Sequence, residues 1–385
     1  MAGWRTGDPV AGRRFADLGT VELELGGYLP DVRVAYETWG VPERDAHGIA
    51  NAVLVEHALT GDAHVAGPPA EGQLTPGWWD GLIGPGLALD TDRWFVVAAN
   101  VLGGCQGSTG PSSVQGRQFP ALTIRDQVRV EALLADHLGI ACFAAVLGGS
   151  MGGMRALEWA AMYPDRVGAA LVLAVGAAAS ADQIATQSTQ VLAIRSNTAS
   201  DTASDTASDT ASGLGIARRI AHLTYRSEYE LDTRFGRDVQ DDGRYTVVSY
   251  LDHHADKLAD RFDAESYVVL TEAMNTHDVG RGRGGAAAAL AAIGVSLVVA
   301  GVDSDRLYPL RQQQFIAEHA ANADGLHVIH SDYGHDGFLL EIEQVGALVR
   351  RTLERSAEPS DHAVATTPSS LDDASSGLLG STRTL

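Results

Sequence analysis

The segment Gly148-Gly149-Ser150-Met151-Gly152-Gly153 follows an apolar run and leads directly into a helical pattern. A serine on a tight strand-to-helix turn, with glycines beside it because side chains do not fit there, presents its hydroxyl as a nucleophile. The helix beginning at that turn aims the positive end of its dipole at the reacting centre, where an oxyanion is favoured. Five such residues also occur in ordinary glycine-rich turns; the strand before and the helix after make the nucleophile reading specific. A serine hydroxyl reacts poorly at neutral pH without a base, and the base needs an acid to orient it. Chains with this elbow carry the three in the order serine, acid, histidine. Two loops are placed to supply the second and third, Val302-Asp303-Ser304-Asp305 and Tyr333-Gly334-His335-Asp336-Gly337. His335 is the candidate base, since His327 and His330 fall within an apolar run and read as strand residues. Spacing alone does not choose between Asp303 and Asp305. An oxyanion hole in this geometry draws on main-chain N–H groups, and Leu59, in the loop of residues 57–62, and Met151 are the candidate donors.

Other features lead elsewhere. His57, Asp62 and His64 lack metal-ligand spacing, and His253 and His254 are adjacent and point apart on any regular element, so no metal site is expected. Gly280-Arg281-Gly282-Arg283-Gly284-Gly285 spells a dinucleotide-binding fingerprint, but no buried strand precedes it. Its two arginines are left with two readings, an entrance for a phosphate-bearing donor or a solvated loop. Only Cys105 and Cys142 are present, which excludes a disulfide framework, and Cys105 reads as a small filler.

These groups need a scaffold, and the apolar pattern supplies one. Runs rich in Val, Ile and Leu at 21–25, 32–38, 52–57, 94–99, 141–147, 169–175, 295–301 and 326–330 read as strands. Helical spacing at 124–138, 151–162, 310–320 and 342–353 lies between or after them. The alternation predicts a doubly wound, mainly parallel α/β sheet, with the first two strands as an edge hairpin turning near Gly26-Gly27. The expected organisation is a core over 15–179, a helical cap inserted at 180–294, the rest of the core at 295–355 and a disordered tail at 356–385. Within the cap, helical pieces are expected at 182–195, 214–225 and 264–274. Residues 199–212 repeat Ala-Ser-Asp-Thr, too small and polar to bury a core, and are expected to form a mobile loop. Of 385 residues, 49 are acidic and 28 basic, a formal charge of −21, which argues against nucleic-acid or anionic-membrane partners. Lys257 is the only lysine. The N-terminal residues lack the apolar core of a secretory signal, and no run is long enough for a membrane span, so a soluble cytoplasmic protein is expected.

The combined motifs resemble one family of the α/β-hydrolase superfamily, the homoserine O-acetyltransferases of methionine biosynthesis. The resemblance spans residues 21–353. It rests on His57-Ala58-Leu59-Thr60-Gly61, on Asn100-Val101-Leu102-Gly103-Gly104-Cys105 with Gly107-Ser108-Thr109-Gly110-Pro111, and on the serine elbow through Met154. Further markers are Gly215-Ile216-Ala217-Arg218 with Leu223-Thr224-Tyr225-Arg226, Ser304-Asp305-Arg306-Leu307-Tyr308-Pro309, and Tyr333-Gly334-His335-Asp336-Gly337-Phe338. The resemblance implies the α/β-hydrolase fold with a helical cap, a Ser150–Asp305–His335 triad, and Asp305 rather than Asp303 as its acid. It implies that Arg218 holds the acceptor's carboxylate and Asp336 its ammonium. The implied reaction is ping-pong acetyl transfer from acetyl-CoA to L-homoserine, with no cofactor beyond the acetyl-CoA substrate, in a homodimer joined through cap helices. Succinyl-CoA-using relatives tend to carry arginine where this chain has Leu307, which favours acetyl. The Ala-Ser-Asp-Thr repeat replaces an aromatic, Pro- and Gly-containing segment usual in the family. Rival readings are a succinyl-CoA- or serine-using acyltransferase, and a plain esterase or thioesterase.

Overall fold

The computed structural model describes residues 3–114, 118–198 and 207–356. The first part of the four-residue repeat (199–206) and the tail from 357 lie outside the described residues. Eight strands form the main sheet: β1 Arg14–Glu22, β2 Tyr28–Trp39, β3 Ala52–Glu56, β4 Phe95–Ala99, β5 Phe143–Gly149, β6 Val167–Leu173, β7 Ser296–Val302 and β8 Ala323–Ile329. Their order across the sheet is β1-β2-β4-β3-β5-β6-β7-β8. Pairing from β4 to β8 is parallel throughout, whereas β2 pairs antiparallel with both β1 and β4. This is the α/β-hydrolase fold, with β1 and β2 as an edge hairpin turning through Gly26 and Gly27, both at positive φ.

Every residue of β3 and β4 is buried, as continuous apolar strands covered on both faces must be. Successive side chains point to opposite faces. Leu54, Val97, Val146 and Val172 therefore join helices α1 (Ile124–Leu138) and α2 (Met151–Met162) on one face. Val55, Ala98, Leu147 and Leu173 face Val345, Val349 and Leu353 of the C-terminal helix Ile342–Arg355 on the other. The strand expected at 21–25 lies earlier, at Arg14–Glu22. Only Ala16 and Val21 in it are buried, and the register shifts around Gly19, so its periodicity is weak.

Between β6 and β7 the chain leaves the sheet for six helices: α3 Ala181–Thr198, α4 Ala207–Tyr225, α5 Glu228–Phe235, α6 Thr246–Ala259, α7 Ala264–Asn275 and α8 Ala286–Ala291. Two corrections to the sequence reading follow. Residues 207–212, the end of the repeat, are helical and not loop, because they are the first turns of α4, whose later residues Leu214, Ala217 and Ala221 are buried. The helices α5 and α6 were not anticipated. Ser227 caps α5 by accepting from the Glu230 N–H at 3.0 Å, a Ser-x-x-Glu signal present in the sequence. Helix α6 buries only Leu251, Ala255 and Leu258, a stripe obscured by the polar residues around it. Among the described residues no helix is long and apolar enough to cross a membrane.

One buried ion cluster ties the sheet to its helices under the serine elbow. The Arg155 guanidinium of α2 meets Glu56 at the end of β3 (2.5 Å) and Glu131 of α1 (2.6 Å), and donates to the His57 carbonyl at 2.6 Å. Trp159 donates to the other Glu131 oxygen at 3.0 Å. Burial lifts Glu56 well above the usual carboxylate range, against the opposing pull of Arg155. Removing one partner of such a cluster leaves buried charge uncompensated. Arg155→Met is therefore expected to cost about 3–5 kcal/mol in urea unfolding; a loss under about 1 kcal/mol would contradict this account.

Candidate active site

The turn at Ser150 is as tight as its glycines suggest. A Cβ on residue 148 would stand 2.2 Å from the Gly152 carbonyl oxygen, and one on residue 152 would stand 2.1 Å from that of Glu56. Ser150 itself adopts φ 56°, ψ −124°, which costs a non-glycine residue about 1–3 kcal/mol. The conformation is held from both sides. The Ser150 N–H donates to the Leu173 carbonyl at the end of β6, and the Met154 N–H donates to the Ser150 carbonyl, each at 3.0 Å. Met151 begins α2, so its N–H is one of the free donors at a helix start.

Opposite the elbow lies the loop after β3. The Gly61 N–H donates to the Ala58 carbonyl at 2.9 Å, which folds the loop back on itself. The Leu59 amide donates to no acceptor among the described residues. His57 is a structural residue of this loop. Its Nε2 accepts from the Val101 N–H at 3.1 Å, its Nδ1 donates to the Ala58 carbonyl at 2.7 Å, and burial pulls it down to about 3, so it stays neutral.

The two candidate acids after β7 have different partners. Asp305 accepts through Oδ1 from the Leu307 and Tyr308 amides at 2.8 and 2.9 Å, which leaves Oδ2 to meet His335 Nδ1 at 2.6 Å. Asp303 pairs with His330 at 2.8 Å on the surface. The His335 ring stacks on Tyr308 (centroids 5.1 Å apart) and takes the edge of Phe338 at 5.3 Å. Burial pulls the imidazole down, but Asp305 outweighs it, and His335 lies above its ordinary value of 6.5. Its Nε2 is buried without a hydrogen-bond partner.

His335, Ser150 and Leu59 line one cavity of about 260 Å³, together with Arg218, Arg226, Lys257, Arg261 and Asp336. The Arg218 Nη1 donates to the Thr60 hydroxyl at 3.3 Å, and its Nε is buried without a partner. Asp336 lies 3.2 Å from Arg226 Nε, and burial lifts its carboxyl above the usual range against Arg226, His335 and Arg218. Arg226 received no role in the sequence reading; its position one residue past Tyr225 at the end of α4 was the available signal. His222 and His254 also line the cavity, and burial draws them down to about 2 and about 4, so both are neutral.

The glycine-arginine loop lies elsewhere, in an internal bracket. Arg281 binds Glu24 (2.8 Å), Arg283 binds Glu158 (2.9 Å), and Arg125 spans both acids at 3.0 and 3.1 Å. Neither arginine lines the cavity of Ser150; the loop's glycines at 282, 284 and 285 are exposed, while half-buried Glu24 and buried Glu158 engage the two side chains. Cys105 is buried, and burial pushes its thiol up to about 12. Among the described residues no group of three His, Cys, Asp or Glu side chains is placed to hold a metal ion.

Comparison with known proteins places this geometry in context. Residues 51–342 match the family model described as alpha/beta hydrolase fold. The homoserine O-acetyltransferase of Thermobifida fusca (strain YX) is 58% identical over 366 residues, covering 91% of this chain and 96% of that protein. That of Clavibacter michiganensis subsp. michiganensis is 55% identical over 374 residues, covering 92% and 95%. Among solved structures, homoserine O-acetyltransferase from Staphylococcus aureus superposes with a TM-score of 0.74 at 27% identity, over 91% of this chain and 97% of that one. Esterase E22 superposes at 0.78 with 23% identity, over 89% and 99%, a likeness of fold.

Whether Ser150 is an activated nucleophile is measurable without knowing the substrate. Covalent labelling of Ser150 by a fluorophosphonate should slow on acidification with a midpoint above 6.5, because protonated His335 cannot accept the hydroxyl proton. Asp305→Asn removes the carboxylate that raises His335, so the midpoint should fall and labelling should slow by orders of magnitude. A profile flat between about pH 5 and 8 would contradict the assignment of His335 as base.

Proposed function

The chain belongs to the homoserine O-acetyltransferases of the α/β-hydrolase fold, and from that premise we propose that it moves an acetyl group from acetyl-CoA to the hydroxyl of L-homoserine through an acetyl-serine. The observation that carries the reading is one cavity lined by Ser150, by His335 with Asp305 behind it, and by a cation and an anion for a zwitterion. His335 takes the Ser150 proton as the hydroxyl attacks the thioester carbonyl. The amides of Leu59 and Met151 hold the developing oxyanion, the thiolate leaves with the proton from His335, and acetyl remains on Ser150.

The acceptor then occupies the space the thiol has left. Arg218 takes its carboxylate, which the unpartnered Nε supports, and Asp336 takes its ammonium, steadied by Arg226. A zwitterion that leaves bulk water for this cavity needs a charge at each end. His335 removes the acceptor's hydroxyl proton, the oxygen attacks the acetyl carbonyl, and as the second tetrahedral adduct collapses Ser150 leaves and takes that proton back from His335. Protein side chains and the thioester supply all of this chemistry, and its product, O-acetyl-L-homoserine, serves methionine biosynthesis. Helices α4 and α6 cover the cavity and limit the access of water to the acyl-enzyme.

The reading extends to assembly. Ile184 and Leu192 on α3, and Ile216 and Leu223 on α4, are exposed and spaced by about two helical turns, so each pair shares a face. We propose that these cap faces join two copies of the chain.

Mass, kinetic and light-scattering measurements test these proposals. Intact-mass analysis after mixing with acetyl-CoA should show one acetyl group on the protein, absent from Ser150→Ala, whereas Arg218→Ala should raise the homoserine KM more than it lowers kcat. Hydrolysis of acetyl-CoA at one rate with or without homoserine would defeat the transferase reading. Leu192→Glu combined with Ile216→Glu should halve the mass found by light scattering; an unaltered mass would defeat the proposed interface.

A further inference from the structure

The cavity carries more positive charge than one amino-acid carboxylate requires. Arg218, Lys257 and Arg261 all line it, and among the described residues none has a carboxylate within ion-pair distance. Carboxylates are plentiful, 49 against 28 basic residues, and arginines elsewhere in the fold find them readily. Three unpaired cations converging on one cavity therefore indicate anionic groups that arrive with a ligand. If Arg218 takes the acceptor's carboxylate, Lys257 and Arg261 remain.

Their placement suggests which anion they meet. Lys257 is exposed near the end of α6, and Arg261 follows just past that helix, half-buried, so their charges run from solvent inward. A cavity of about 260 Å³ is below the ~300–1,000 Å³ typical of pockets that enclose a whole ligand. It has room for the reacting end of an acyl-CoA. The amide arm must run outward, and the phosphates at its far end then lie at the mouth.

We propose that Lys257, with Arg261 behind it, binds the phosphate groups of the acyl donor at the cavity mouth. The proposal rests on the acetyl-CoA reading above. Lys257 serves as a point charge for phosphate oxygens, a role suited to an exposed and mobile ammonium. With Arg261 it makes the cavity mouth locally positive on a chain whose net charge of −21 otherwise repels a polyanionic donor.

The test compares two donors with the same thioester, acetyl-CoA and S-acetyl-pantetheine, the latter without phosphates. Lys257→Glu should lower the ratio of their kcat/KM values by about tenfold or more, through the KM for acetyl-CoA. Arg261→Gln should move the ratio in the same direction. Added salt should erode the preference of the unaltered enzyme for acetyl-CoA. A second measurement uses the single lysine: amine-selective labelling of Lys257, read by peptide mass, should be suppressed by CoA and not by pantetheine. A ratio unmoved within about twofold, a shift confined to the homoserine KM, or equal labelling with both protectants overturns the site alone. Unaltered enzyme that takes no acetyl group from either donor overturns the function beneath it.

Discussion

The fold depends on how closely α2 can approach β3. The Glu56 carbonyl oxygen occupies space that any side chain at position 152 would need, so the helix can start there only as glycine. From that contact Ser150 is forced into a conformation it would not choose. Five residues along the same helix, Arg155 turns back to hold Glu56, Glu131 and the His57 carbonyl. One helix thus carries the hydroxyl and a free amide, and also anchors the loop that brings Leu59. The proposed nucleophile and oxyanion donors are positioned as one body, as preorganised electrostatic stabilisation requires.

His335, the proposed base, arrives from the far end of the chain and is caged. Tyr308 and Phe338 fix the plane of the His335 ring, and Asp305, already bonded by two main-chain amides, fixes its tautomer. Its loop also packs against the cap. Gly334 is at φ 67°, and a Cβ there would stand 2.6 Å from the Tyr225 carbonyl oxygen at the end of α4. Ser227, the residue that caps α5, donates its hydroxyl hydrogen to the Asp332 carbonyl. Helix α4 and the His335 loop therefore share a backbone contact, and displacement of α4 would disturb the proposed proton transfer as well as access.

Charge is distributed with a similar economy. The chain as a whole is strongly acidic, yet its cavity is lined by Arg218, Arg226, Lys257 and Arg261 against the single carboxylate of Asp336. Neutral His222 and His254 add polar surface without further charge. A pocket of positive sign would concentrate the anionic groups of the proposed substrates, which a net acidic chain otherwise repels. The arginines of the glycine-rich loop, which have the same side-chain chemistry, do not line this cavity and are instead paired with Glu24 and Glu158.

Periodicity in the sequence was enough to define the alternating α/β core, since strands such as Ala52–Glu56 and helices such as Met151–Met162 bury continuous or regularly spaced apolar residues. The serine elbow was equally legible, because its steric demand is local and falls on neighbouring glycines. The edge strand Arg14–Glu22 and helix α6 were obscure, each burying too few residues to leave a period. Asp303 and Asp305 lie two residues apart on one loop; spacing does not separate them, and within the sequence only the family resemblance favours Asp305. Only in the folded chain does one turn inward to His335 while the other faces His330 at the surface. The pairing of Asp336 with Arg226, and the capture of Arg281 and Arg283 by distant acids, belong to the same class. Backbone sterics and apolar spacing act between neighbours and are written in the chain. The partner of a charged side chain depends on which groups share its low-dielectric surroundings, and tertiary packing alone decides that.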